Sequence, residues 1–454
     1  MRIVKQRKLR FDSVLLPTGW ARDVCVSVDA DGLISNIETS SQEGERMSGI
    51  AIPGMANLHS HAHQRLMQGL AERAGPGSDS FWTWREVMYG FALKLTPEDM
   101  EAVAAQSYAE MLCAGFTSVG EFQYLHHQPD GSPYANRAEM SLRCLVAADA
   151  TGISTTMLPV LYSHGGFGGA APNAGQRRFI NDVDGFLDIY EILNDAMHGH
   201  HQLGLAPHSL RAVTKAGLDA VLESTPPGQP VHIHVAEQIK EVEDCLAWSK
   251  QRPVEYLLSH FDVNQNWCAI HATHMVDHEL RVLAASGAVA GLCPTTEANL
   301  GDGIFSAVEF TKVGGKFGIG SDSHITISPA EDLRLLEYSQ RLKHHTRNAL
   351  ADGAGLSNGR SIFDRALKGG AQALQQNMGS IEIGRRADFV VLNDDHHALL
   401  GRTEDVALDA WIFSGGNQCV RDVYAGGKLQ VKDGVHVNAA SITNNFKKTM
   451  ARLT

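Results

Sequence analysis

Several things are scarce in this sequence, and each shortage excludes a class of protein. Seven cysteines among 454 residues, an odd number with no C-x-x-C pair, exclude a disulfide-stapled scaffold. Cys113, Cys144 and Cys268 fall in apolar stretches and read as reduced, buried small side chains. No run of about 18 apolar residues exists, so no membrane-spanning helix and no membrane partner are expected. Basic clusters are as rare: the longest is KQRKLR, and with a net charge of -12 a nucleic-acid partner has no support. The apolar run after that cluster, Val14 to Leu16, is too short for a signal-peptide core, and a cytoplasmic location is expected.

What remains, 43% hydrophobic and 20% charged residues, is the composition of an ordinary soluble enzyme, with length for one large and one small domain. Apolar runs alternate with longer helical patterns, the signature of a parallel sheet wrapped by helices. Eight strands are expected at 56–59, 117–122, 154–161, 203–207, 231–235, 268–271, 288–293 and 317–320. The fold class is α/β: a (β/α)8 TIM-type barrel over 54–380, with a small β-sandwich domain built from both termini, 1–53 and 381–454. Thr96-Pro97-Glu98-Asp99 caps one intervening helix, Gly115 ends it, and Ser328-Pro329-Ala330-Glu331 opens another. The Gly-rich stretch 163–176 follows the third strand and is placed to cover the barrel mouth, while 351–359 reads as a second loop.

Metal-ligand and acid-base residues stand at the carboxyl ends of four of these strands, where barrel enzymes keep their chemistry. His59 and His61, two residues apart, point to one face of a strand and can grip one ion. A bare H-x-H means little among 22 histidines. His198 and His200 form such a pair at the opposite face. His234 lies nearer the top of its strand than His232, which reads as barrel packing. Asp322 adds an anionic oxygen, giving three histidines, one carboxylate and room for water, a set that suits zinc. Glu237, three residues past His234, can take a proton from water and deliver it to a leaving nitrogen. His271 can donate to the developing tetrahedral centre. The fourth strand's end, Pro207-His208-Ser209-Leu210-Arg211, offers no lysine or acid to bridge two metals, which favours one Zn2+ per chain.

The strings PGMANLHSH, HIHVAEQ, GIGSDSH and GRRADFVVL, with the strand-six histidine, resemble the amidohydrolase superfamily in its single-zinc deaminase branch. SFWTWRE (80–86), EFQYLHH (121–127), PHSLRAV (207–213) and TEANLGDGIF (296–305) look like the formimidoylglutamate deiminases within it. The resemblance covers nearly the whole chain. His63 departs from the family pattern, which has an apolar aromatic there. The resemblance implies zinc-dependent hydrolysis of N-formimino-L-glutamate to N-formyl-L-glutamate and ammonia, a step of histidine degradation. It assigns substrate binding to Gln64, Arg85, Tyr124, His208 and Arg211. Chemistry agrees on the need, since a dianionic small molecule carries two carboxylates and the planar arginine fork suits each. Trp82 and Trp84 are expected to pack the loop, and Arg65, Arg177 and Arg178 receive no role. The sequence is compatible with a homodimer.

Two other readings stay open. A deaminase of an aromatic base or nucleoside on this scaffold wants stacking aromatics and amides at the mouth instead of two arginines. A non-catalytic scaffold has no need of an open metal position, of Glu237 or of His271.

Overall fold

The structure is a computed structural model that describes residues 7–74, 77 and 81–453; the side chains of Phe81 and Trp82 lie outside the described residues, and with them the expected packing of Trp82. Four strands precede the barrel: β1 (Arg7–Leu16), β2 (Gly19–Val28), β3 (Ile34–Glu38) and β4 (Glu45–Pro53). The barrel strands follow as β5 (Met55–Ser60), β6 (Phe116–Gln123), β7 (Ser154–Leu161), the split pair β8 (Gln202–Leu203) and β9 (Ala206–Pro207), β10 (Val231–Val235), β11 (Trp267–His271), β12 (Val289–Leu292) and β13 (Lys316–Ile319). Every residue of β5, β6, β7, β10 and β11 is buried, as expected of parallel strands covered on both faces.

Two parallel arrays, β5 to β8 and β10 to β13, carry these strands. Parallel bridges Leu205 to Val231 and Ser209 to His234 join them on one side, and Ser60 to Asp322 joins them on the other, closing the ring. The floor is sealed by the helix Asn358–Leu374, whose Gly369 and Gly370 lie directly against β13 and β5; a Cβ on Gly369 would collide with the Phe317 carbonyl. Leu58 fills the interior beside Gly120, Gly291 and Gly318, none of which has room for a side chain.

Strands from both termini share one sheet of eight, with β14 (Phe389–Leu392), β15 (Val420–Ala425), β16 (Lys428–Lys432) and β17 (Val435–His436) extending it beyond β4. Its core is Leu9, Phe11, Val24, Val26, Phe389, Val391 and Tyr424. Arg386 fastens this sheet to the barrel: it pairs with Asp388, donates to the Thr117 carbonyl at 3.2 Å and bonds the Ser154 hydroxyl. The short-strand reading of the carboxyl end omits its helical elements, Glu404–Ala410 with the turns that follow it to Cys419, and the helix Ala439–Leu453. There Ile442, Phe446, Met450 and Leu453 recur at helical spacing and pack on the large core, so tertiary burial makes a helix of a polar-looking tail.

The caps stand where the sequence placed them: Thr96 and Asp99 form a capping box, Pro97 is at the first turn, Gly115 takes the left-handed C-cap, and the Ser328 side chain accepts from Glu331 N. No helix among the described residues is long and apolar enough to cross a membrane.

Candidate metal and catalytic site

Backbone pairing at the closing seam brings three of the expected groups together. Asp322 N donates to His59 O at 3.0 Å and His61 N donates to Asp322 O at 3.2 Å, so the three side chains leave one ladder at the barrel top. Asp322 Oδ1 lies 3.5 Å from His59 Nε2 and 3.4 Å from His61 Nε2. His234 reaches in from the end of β10, its Nε2 3.0 Å from His59 Nε2. All four residues are buried.

The hydrogen bonds behind them set the tautomers. His61 Nδ1 faces the Phe122 carbonyl at 2.9 Å, and His234 Nδ1 faces the His208 carbonyl at 2.9 Å. A carbonyl only accepts, so each Nδ1 carries the proton and each Nε2 presents a lone pair inward. Burial pushes the pKa of His59, His61 and His234 down and keeps them neutral. The centre thus gathers three imidazole nitrogens, two of them fixed as acceptors, and a carboxylate oxygen, and this donor set fits a zinc ion.

Around it stand the acid-base residues. His271 ends β11, with Nε2 4.0 Å from Glu237 Oε1 and 3.8 Å from Asp322 Oδ2. Its Nδ1 contacts Glu297 Oε1 at 3.3 Å. Burial alone would favour neutral His271, but Glu237, Glu297 and Asp322 outweigh it and raise its pKa. Glu237 moves up as well, because its burial disfavours the charge more than His271 and Arg211 favour it. Its backbone is held by Glu241, whose carboxylate accepts from Ala236 N and Glu237 N. Ala236, His271, Ala272, Asp322 and His324 all have positive φ between 47° and 67°, strain concentrated where these loops turn into the site.

A cavity of about 260 Å³ opens over the centre and is lined by His61, His234, Glu237, His271 and Asp322 together with Gln64, Arg85, Tyr124, His208 and Arg211. Every residue expected from the sequence to bind metal, catalyse or hold substrate therefore lies at this cavity, His59 beneath its lining ligands. Gln64 Nε2 donates to Tyr124 Oη at 2.8 Å, and His63 Nε2 contacts the same hydroxyl at 2.9 Å, so the histidine that departs from the family pattern is part of the Tyr124 support. Burial and the nearby Arg211 hold His208 neutral. Gly165, Gly166 and Phe167 bring the Gly-rich stretch to the cavity wall, and Trp84 lines it too.

Other histidines and arginines go elsewhere. His232 Nε2 bonds the Ala373 carbonyl inside the barrel at 2.8 Å. His198 lies at the surface beside Asp149 and His201, and His200 bonds the Asp31 carbonyl. Arg65 pairs with Glu110, Arg177 bonds the carbonyls of Pro129 and Ala174, and fully buried Arg178 is held by the carbonyls of His127, Ala92 and Leu95. Sequence reasoning missed Glu297, the orienting partner of His271; its only signal was a carboxylate just past the seventh strand. Tyr89 and Tyr162 were missed for lack of any signal, since aromatics in these positions read as core.

Residues 50–430 match the Amidohydrolase family. The chain is 49% identical over 445 residues to the formimidoylglutamate deiminase of Pseudomonas aeruginosa, covering 97% of this chain and 98% of that one. It is 25% identical to the 8-oxoguanine deaminase of the same organism over 85% of this chain and 83% of the relative. Among solved structures, an amidohydrolase from Brucella melitensis superposes with a TM-score of 0.94 at 52% identity, covering 99% and 100% of the two chains. An adenosine deaminase from Xanthomonas campestris with bound zinc superposes with a TM-score of 0.81 at 20% identity, 98% of each chain covered, a likeness of fold.

Proposed function

The chain belongs to the amidohydrolase family, and we propose that it hydrolyses N-formimino-L-glutamate to N-formyl-L-glutamate and ammonia, with one Zn2+ per chain held by His59, His61, His234 and Asp322. The observation that carries this reading is the shared cavity: Arg85 and Arg211 line the same space as the acceptor cluster, Glu237 and His271. Two guanidiniums above a hydrolytic centre match a substrate with two carboxylates and one amidine carbon.

When bound, zinc lowers the pKa of a ligated water to about 7 and makes hydroxide available at neutral pH. Glu237 takes one proton of the water as its oxygen bonds to the amidine carbon, and its raised pKa suits it to pass that proton to the terminal =NH and then to carry the remaining O–H proton to the same nitrogen. His271, its Nδ1 held against Glu297, directs Nε2–H at the oxygen added to that carbon. The C–N bond then breaks, ammonia leaves with both water protons, and the carbon keeps a formyl C=O. Arg211 and Arg85 hold the carboxylates, while Gln64, Tyr124 and His208 bound the chain between them. The compartment that fits is the cytoplasm, with a small dianionic molecule as partner.

The test is to incubate zinc-loaded protein with N-formimino-L-glutamate, measure ammonia and identify the other product. Guanine, cytosine and adenosine analogues run in parallel. Ammonia from a base and none from formiminoglutamate would overturn the proposal.

A further inference from the structure

Tyr162 lines the cavity without a role in the scheme above, and the bonds around its hydroxyl fix how it can act. Asn173 N donates to Gln176 Oε1 at 2.8 Å, so the NH2 end of that amide is the one facing Tyr162. Gln176 Nε2 donates to Tyr162 Oη at 2.7 Å. An amide NH2 has no lone pair to offer, so the phenol oxygen is the acceptor in this bond and its own proton must go elsewhere. Among the described residues no acceptor is hydrogen-bonded to that proton.

The hydroxyl is not a free surface rotor. Tyr162 is 8% exposed and Gln176 2%. The Tyr162 ring packs on His208 with centroids 4.4 Å apart and on Phe179 at 5.8 Å. Its electrostatic surroundings are cationic: burial pushes its pKa up, opposed by the charges of Arg211 and Arg85, and neither guanidinium can accept a proton. A fixed O–H donor that lines the same cavity as two guanidiniums is one arm of an anion site.

We propose that Tyr162 is the third donor of the carboxylate subsite, its O–H aimed by Gln176 at a substrate carboxylate held by Arg211 and Arg85. This deepens the formiminoglutamate reading and rests on it. Gln176 is then a positioning residue that acts only through the Tyr162 hydroxyl. It also ties the end of the Gly-rich stretch 163–176 to substrate recognition.

The test compares the zinc-loaded parent, Tyr162→Phe, Gln176→Leu and the double variant on formiminoglutamate and on an N-alkylformamidine that lacks carboxylates. Tyr162→Phe should raise KM for formiminoglutamate roughly tenfold to a hundredfold, the span of one hydrogen bond to a charged group, with kcat little changed. Turnover of the formamidine should stay at the parent level in all variants. Gln176→Leu should raise KM for formiminoglutamate on its own but add nothing in the Tyr162→Phe background. An unchanged KM in Tyr162→Phe overturns the inference, as does an equal loss on both compounds, which would mean a packing role. Should Tyr162→Phe fail to fold, an unchanged KM in Gln176→Leu overturns it as well. If the parent itself releases no ammonia from formiminoglutamate, the substrate reading has failed and the inference falls with it; an active parent with indifferent variants sinks the inference alone.

Discussion

Glu237 and Arg211 divide the labour of this site, and each has its own signature in a variant. Glu237 has the shape and burial of a proton carrier, and Glu241 fixes its backbone from below. Glu237→Gln keeps that shape and removes the proton acceptor, so turnover should fall about 100 to 10,000-fold while bound metal stays. Metal content and kcat on one preparation check this, and near-normal turnover would remove Glu237 from the mechanism. Arg211 is half-buried at the cavity wall, within the field of Glu237 and Glu241, and is the cation a substrate carboxylate would meet. Arg211→Met should cost roughly 2 to 5 kcal/mol of productive binding, because a desolvated carboxylate is left without its charged partner. A formimino compound without carboxylates should react alike with both proteins, and equal losses on the two compounds would reassign Arg211 to support of the barrel.

At the scale of elements, the barrel strands were legible because parallel strands buried on both faces are apolar along their whole length, and all eight expected segments overlap observed ones. The positions of the liganding groups followed from the same rule, since strand ends at one face of a barrel converge. Pairings across the seam were not legible: nothing in NLHSH and GSDSH announces that Asp322 sits in register with His59 and His61. Glu297 and Tyr162 were hidden for a related reason, because their work depends on neighbours far away in sequence. The carboxyl-terminal helix was hidden because its four large apolar residues are diluted by polar ones and alanines. The helix Asn358–Leu374 gives a test at this scale. It approaches β13 through Gly369, where a methyl group would collide with the Phe317 carbonyl. Gly369→Ala gains helix propensity of about 1 kcal/mol. Overpacking costs about 1 to 3 kcal/mol against that gain, so a net loss of up to about 2 kcal/mol is expected. Urea unfolding decides the sign, and a stabilised variant would show that the barrel floor can yield.

The whole molecule carries buried histidines that acid must charge. Burial in the main holds the His126 pKa down to about 3, with Nε2 bonded to the Val160 carbonyl at 2.9 Å. A basic group depressed in the fold from an unfolded value near 6.5 favours folding above pH 6.5, and that contribution drains away as pH falls toward 3. The loss over this window is on the order of 5 kcal/mol. His126→Gln, which can keep the bond to Val160, should have a shallower fall in unfolding free energy between pH 6.5 and 4 than the parent. Parallel curves for the two proteins would show that His126 is hydrated or already charged in the fold.

Metal stoichiometry is likewise a property of the whole chain, because three side-chain groups among the described residues have metal-like spacing. Only one has its acceptors free. In the group His271, Cys293 and Glu297, the carboxylate already accepts from Cys293 N and contacts His271 Nδ1, and burial holds the thiol protonated. In the exposed group Asp149, His198 and His201, Thr155 N donates to His201 Nδ1, so His201 Nε2 carries the proton in the neutral ring and has no lone pair for an ion. At His59, His61, His234 and Asp322 the inward ring nitrogens and a carboxylate oxygen converge, and among the described residues no donor from outside the four is hydrogen-bonded to them. Dialysed, fully active protein is therefore expected to retain one metal per chain. Removing it with a chelator should abolish turnover and lower the thermal midpoint, since an ion bound at 1,000 times its dissociation constant adds about 4 kcal/mol to the fold. Readdition of one equivalent of zinc should restore both together. Two tightly bound metals per chain, or recovery that needs a second equivalent, would mean that a bridging ligand exists which neither the end of β9 nor the His271 group provides.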